Sequence, residues 1–71
     1  MIKVNNKMME WRPGITLADA IDFYHQFDEL IYDNPDLMCI IGSHDYIGED
    51  HTKVLLNDGD FVILMYAFYG G

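Results

Sequence analysis

Phe61-Val62-Ile63-Leu64-Met65-Tyr66-Ala67-Phe68-Tyr69 is an uninterrupted apolar run, and Gly70-Gly71 follows it directly. The run begins after Asn57-Asp58-Gly59-Asp60, a cluster of turn-forming residues. A strand that is apolar on both faces is expected at the centre of a sheet, paired on both sides. Alternation then divides its residues: with Val62 and Leu64 in the core, Phe61, Ile63 and Met65 face the other way. The alternative is that both rows are buried, or that a second copy of the chain covers one of them.

Upstream of that strand, Leu37-Met38-Cys39-Ile40-Ile41 reads as a second buried strand. Residues 42–53 are polar and irregular, with a short strand expected at Tyr46-Ile47. Asp33-Asn34-Pro35-Asp36 interrupts the pattern before it. Earlier still, Thr16 is placed as a helix N-cap, with Asp19 three residues on in an approximate capping box. Leu17, Ala20, Ile21, Tyr24 and Phe27 recur at helical spacing and predict one amphipathic helix of about three turns. Pro13-Gly14 is a turn. Residues 1–11 read as a hairpin turning at Asn5-Asn6, since asparagine tolerates the positive φ of two-residue loops. In that register Val4 faces Lys7 and Ile2 faces Met9. Ile2, Val4, Met9 and Trp11 then share the core face, while Lys3, Met8 and Glu10 point away.

The order is hairpin, helix, strand, irregular stretch, strand. One helix has to cover a mixed sheet of four or five strands, with the last strand parallel to the first at the sheet centre. This is the α+β arrangement known as the β-grasp, and it leaves the second sheet face open. The expectation is a single β-grasp domain over residues 1–71 ending in a flexible Gly-Gly tail.

Size and composition narrow the function. A chain of 71 residues buries only about 60% of its unfolded surface, so its core has to be dense. With 51% hydrophobic and 14% aromatic residues, a disordered chain is excluded. The net charge of −8 argues against nucleic acid, whose phosphates need clustered Lys and Arg, and favours a partner with a basic surface. No apolar stretch is long enough to span a bilayer, and the start carries no apolar signal segment. The single cysteine excludes an internal disulfide. A cytoplasmic protein that binds neither membrane nor nucleic acid is expected.

The residues resemble a known family, the small sulfur carriers of the ThiS/MoaD type, which share the ubiquitin-like β-grasp. Val4-Asn5-Asn6 resembles the family's opening Val-Asn-Gly turn. Pro13-Gly14-Ile15-Thr16-Leu17 resembles its Gly-x-Thr-Val helix start, and Asp58-Gly59-Asp60 begins the last strand. Gly70-Gly71 follows at the spacing typical of ThiS. The chain departs from the family over Ile41-Gly42-Ser43-His44-Asp45-Tyr46-Ile47-Gly48, which lacks the usual Asn-Gly turn and Val-Pro-Arg-like stretch. Ala67-Phe68-Tyr69 is also bulkier than usual.

The resemblance implies that Gly71 is the site of chemistry. In such carriers a ThiF/MoeB-like adenylating enzyme uses ATP to turn the terminal carboxylate into an acyl-adenylate. A sulfur donor then converts it into a thiocarboxylate, which supplies sulfur to a thiazole synthase-like acceptor in thiamine or related biosynthesis. The chain would be a co-substrate rather than an enzyme and would hold no cofactor. Gly70 and Gly71 would thread a narrow channel, which glycine's missing Cβ permits. Phe61, Ile63, Met65, Phe68 and Tyr69 would form the partner face. Alternatives are a MoaD-like small subunit of molybdopterin synthase, a β-grasp interaction module that is never activated, and a ubiquitin-like modifier joined to lysines.

Other residues carry less. Cys39 lies in an apolar run and reads as a buried, inert thiol. His44, Asp45, Glu49, Asp50 and His51 match no metal-ligand spacing and read as a solvated acidic loop. Asp19 and Asp22 read as favourable charges near a helix N-terminus. Trp11 is expected at the core edge with its indole N–H on a loop carbonyl.

Overall fold

The computed structural model describes residues 1–67. Its first element is the hairpin of β1 (Ile2–Val4) and β2 (Lys7–Met9), with Ile2 opposite Met9 and Val4 opposite Lys7. Asn5 makes the reversal with a φ of 51°, a left-handed conformation that asparagine bears better than most residues. Ile2, Val4 and Met9 are buried, while Lys3, Met8 and Glu10 are exposed.

Helix α1 spans Leu17–His25. Its capping box is complete: Thr16 Oγ1 accepts from the Asp19 N–H at 3.3 Å, and the Asp19 carboxylate accepts from the Thr16 N–H at 2.8 Å. Leu17, Ala20 and Ile21 are buried. The helix ends sooner than its apolar spacing predicts, and Phe27 lies outside it, 53% exposed. The cause is local. The Asp28 carboxylate accepts the Leu30 N–H at 3.1 Å, offering the backbone a turn in place of another helical bond. Phe27 instead rests edge-on against Phe23, ring centroids 5.4 Å apart, with Lys7 Nζ 4.8 Å from its own centroid.

After a loop over residues 26–36 come β3 (Leu37–Ile41), β4 (His44–Asp45), a short 3-10 turn (His51–Lys53) and β5 (Phe61–Tyr66). β4 stands two residues ahead of the expected Tyr46-Ile47. Gly42, at φ 63°, and Ser43 reverse the chain at once, so His44 pairs with Ile41 and Asp45 with Ile40. The Asp45 carboxylate then takes the Ile47 N–H at 2.9 Å and turns the chain away from the sheet.

The sheet order is β2-β1-β5-β3-β4, with β5 parallel to β1 and antiparallel to β3. Helix and sheet share one buried cluster, in which Ile2, Val4, Leu17, Ile21, Leu37 and Val62 are almost wholly shielded from solvent. A small α+β domain with one helix and a five-stranded mixed sheet results, compatible with a β-grasp. The residues before β5 also tie down the helix start: Leu17 N–H donates to the Val54 carbonyl at 2.8 Å and Leu56 N–H to the Ile15 carbonyl at 3.0 Å.

The β1–β5 pairing does not end with the backbone of β1. Lys3 and Asn5 donate their N–H groups to the Asp60 and Val62 carbonyls at 3.0 and 2.9 Å. Beyond them the Asn5 side chain continues the ladder. Its Nδ2 donates to the Leu64 carbonyl at 3.0 Å and its Oδ1 accepts the Leu64 N–H at 2.8 Å. One amide thus replaces a strand residue at the point where β1 turns away. Each such part-buried bond is worth about 1 kcal/mol, and leaving β5's groups unpaired costs more. A domain of this size holds about 4–10 kcal/mol in total. Asn5→Gly keeps the backbone conformation and removes both bonds. We expect it to lower unfolding free energy by about 1–3 kcal/mol in urea titration; a change below about 0.5 kcal/mol would show the amide to be dispensable.

Candidate functional site

Alternation along β5 places Val62 and Leu64 in the core, together with Tyr66, and turns Phe61, Ile63 and Met65 to the face away from the helix. Phe61 is 48% exposed and Met65 37%, with Ile63 half-buried between them. The register extends this row sideways. Met65 pairs with Met38 and Ile63 with Ile40 on β3, while Phe61 pairs with Lys3 on β1, which in turn pairs with Met8 on β2. A continuous apolar band therefore crosses the open face. Its one cation, Lys3, holds Nζ 5.2 Å from the Phe61 ring centroid. Three of its side chains are methionines, whose unbranched, polarisable chains adapt to differently shaped partners. The sequence pointed to the β5 row. It also turned Met8 away from the core, whereas Met38 and Ile40 were legible only as strand residues until pairing set them beside the row.

Of the other predicted site residues, Phe68, Tyr69, Gly70 and Gly71 lie outside the described residues. The strand that leads to them is held firmly. Tyr66 Oη donates to the Leu30 carbonyl at 2.7 Å and accepts from Asn34 Nδ2 at 2.9 Å. Pairing of Tyr66 with Leu37 on β3 and these two phenol bonds hold the last residue of β5.

His51 departs from expectation. It is 3% exposed, and its placement in a solvated acidic loop is corrected. Nδ1 lies 2.7 Å from the Asp33 carboxylate and Nε2 2.8 Å from the Tyr46 carbonyl. The ring thus sits between a carboxylate and a backbone carbonyl, with one nitrogen facing each. The imidazole thereby joins three loop segments. A nucleophile or metal would find no free ring nitrogen there. Of the rest of that cluster, Asp45 is half-buried and His44, Glu49 and Asp50 are exposed: His44 Nε2 lies 3.1 Å from Glu49, and Asp50 caps the 3-10 turn. Hydrogen bonds from the Thr52 hydroxyl and N–H hold Asp50 below the usual carboxylate range. The cap is therefore intact above that range and is lost as pH falls through the lowered value.

Cys39 is fully buried, and burial first, then the charges of Asp33 and Asp45, push its thiol up to about 12. Trp11 Nε1 donates to the Leu56 carbonyl at 2.9 Å, a loop acceptor as expected. Asp19 and Asp22 line two grooves of about 380 and 390 Å³ on either side of the helix ridge. Among the described residues no group of three His, Cys, Asp or Glu side chains is placed to hold a metal, and every buried side-chain nitrogen or oxygen has a partner. What the described residues offer is an exposed apolar band on the open sheet face.

Two measurements check these placements. Native Cys39 should resist alkylation at pH 8, where only about one thiol in 10⁴ is ionised at the raised value, and should react fully in denaturant. Rapid labelling of the folded chain would contradict its burial. His51→Ala removes the ring that faces the Asp33 carboxylate and leaves the Tyr46 carbonyl with only the Glu49 N–H, at 3.1 Å. It should cost about 2–4 kcal/mol and speed amide exchange across residues 44–53; an unchanged exchange pattern would remove the histidine's linking role.

No family model matches the chain, and neither the curated proteins nor the solved structures compared with it include a match, so its chemistry has to be argued from its own residues.

Proposed function

We propose that this chain is a sulfur carrier of the ThiS/MoaD type, a β-grasp domain whose working group is the carboxylate of Gly71. The observation that carries the reading is the position of β5. It is the central strand, bonded to β1 on one side and β3 on the other, and it ends at Tyr66, five residues before Gly71. A scaffold of this kind delivers a tail to a partner without taking part in the reaction.

The chemistry follows from the weakness of a carboxylate as an electrophile. A ThiF/MoeB-like adenylating enzyme joins the Gly71 carboxylate to the α-phosphate of ATP and releases pyrophosphate. The terminal sulfur of a donor persulfide attacks the acyl carbon and AMP leaves. A second thiol then cleaves the sulfur–sulfur bond, leaving a thiocarboxylate on Gly71 and a disulfide on the donor side. The thiocarboxylate is the nucleophile given to a thiazole synthase-like acceptor, or to the large subunit of a synthase in a MoaD-like version. The open face of Met8, Phe61, Ile63 and Met65 supplies docking area on which the binding free energy depends. The tail is then free to be thin.

The exposed apolar band also favours a second reading, an interaction module that binds by its open face and is never activated. Intact mass separates the two. After incubation with ATP, an adenylating enzyme and a persulfide donor, the carrier gains the difference between sulfur and oxygen, and the Gly71-deleted chain does not. Absence of that gain, with partner binding unaffected by the deletion, would leave the module.

A further inference from the structure

The loop over residues 26–36 combines two properties that usually exclude each other. Its backbone is held at many points. Tyr66 Oη donates to the Leu30 carbonyl at 2.7 Å, His25 Nδ1 to the Ile31 carbonyl at 2.9 Å, and the Ile31 N–H to the Asp28 carbonyl at 3.0 Å. Asn34 Nδ2 donates to the Tyr32 carbonyl at 2.8 Å, and His51 holds Asp33 from the far side at 2.7 Å. Ile31, 3% exposed, is driven into the core between its neighbours. Yet Leu30 is 68% exposed and Tyr32 55%. Loops held this firmly commonly owe it to their own buried side chains. Here the one buried side chain fixes a segment whose other large apolar groups are presented to solvent.

We propose that this loop is the element by which the activating enzyme selects this chain, with Leu30 and Tyr32 entering an apolar pocket rimmed by Lys or Arg. The inference rests on the sulfur-carrier reading and names the partner's chemistry. Three observations commit it to that occupant. Display from a fixed backbone removes the ordering cost that a mobile loop would incur on binding. Charge sets the rim: Asp28, Glu29, Asp33 and Asp36 lie within the loop, which contains no Lys or Arg. Reach sets the identity: Tyr66, whose phenol touches the loop, is five residues from Gly71, a span of at most roughly 17 Å of extended chain. Any active site that receives Gly71 therefore lies within that reach of the end of β5, and Tyr66 there is bonded to the loop that displays Leu30 and Tyr32.

The test is ATP-dependent pyrophosphate release by the adenylating enzyme that charges the wild-type chain, measured against carrier concentration at low and high salt. Leu30→Ser and Tyr32→Ser, each shown by thermal melting to fold, should raise the half-saturating concentration about tenfold while leaving the maximal rate unchanged. Glu29→Lys, an exposed change with no packing role, should raise it chiefly at low salt. Leu55→Ser is the control, since Leu55 is 67% exposed outside this loop, and should change nothing. If the Leu30 and Tyr32 variants saturate like the Leu55 variant, the loop has no part in selection and this inference falls while the carrier reading stands. If the wild-type chain itself supports no release with any adenylating enzyme of the ThiF/MoeB kind, the carrier reading falls and this inference with it.

Discussion

Everything in this fold waits on the seam between β1 and β5. The three-residue β1 is too short to satisfy β5 along its length, and the Asn5 side chain makes up the missing step by pairing both backbone groups of Leu64. A short first strand is thereby compatible with a long central one. Register follows from the same contact. A shift of one residue would turn Val62 and Leu64 outward and carry Phe61 and Ile63 inward, exchanging the core for the open face. The identity of both faces thus depends on one amide held in a left-handed backbone conformation.

Two rings of restraint surround that seam. On one side the capping box and the bonds from residues 54–56 fix where α1 begins. On the other, Tyr66 and His51 fasten the loops that follow the helix and β4, each through a contact with a group far off in sequence, Leu30 for Tyr66 and Asp33 for His51. Buried polar groups of this kind are costly when unpaired and are fully paired here. Their effect is to let irregular segments behave as rigid parts. A domain with one nine-residue helix has few other means of doing so.

The elements set by local chemistry were readable in the sequence. Asn5-Asn6, the Thr16/Asp19 box, the run from Leu37 to Ile41 and the start at Phe61 each encode a turn, a cap or a period within a few residues, and each stands where that chemistry puts it. What escaped was set by competition or by distance. Phe27 fits helical spacing, but Asp28 offers the backbone a turn one residue later. Tyr46 has strand character, but Gly42 forces the reversal earlier. His51 sits among polar neighbours in sequence, and only the folded chain brings the Asp33 carboxylate to it. The face built of Met8, Lys3, Phe61, Ile63 and Met65 was half legible, because alternation gives a row and pairing gives its neighbours.

The parallel union of the first and last strands has a consequence for how the molecule is made. Residues 5 and 64 are separated by 59 positions, so the central sheet contact closes a loop that holds β2, the helix, β3 and β4. During synthesis the N-terminal hairpin and helix emerge without the strand that completes their core, and their apolar sides stay open until residue 66 has left the ribosome. Acquisition of structure is therefore a late, concerted event, slower than in a helical bundle of equal length.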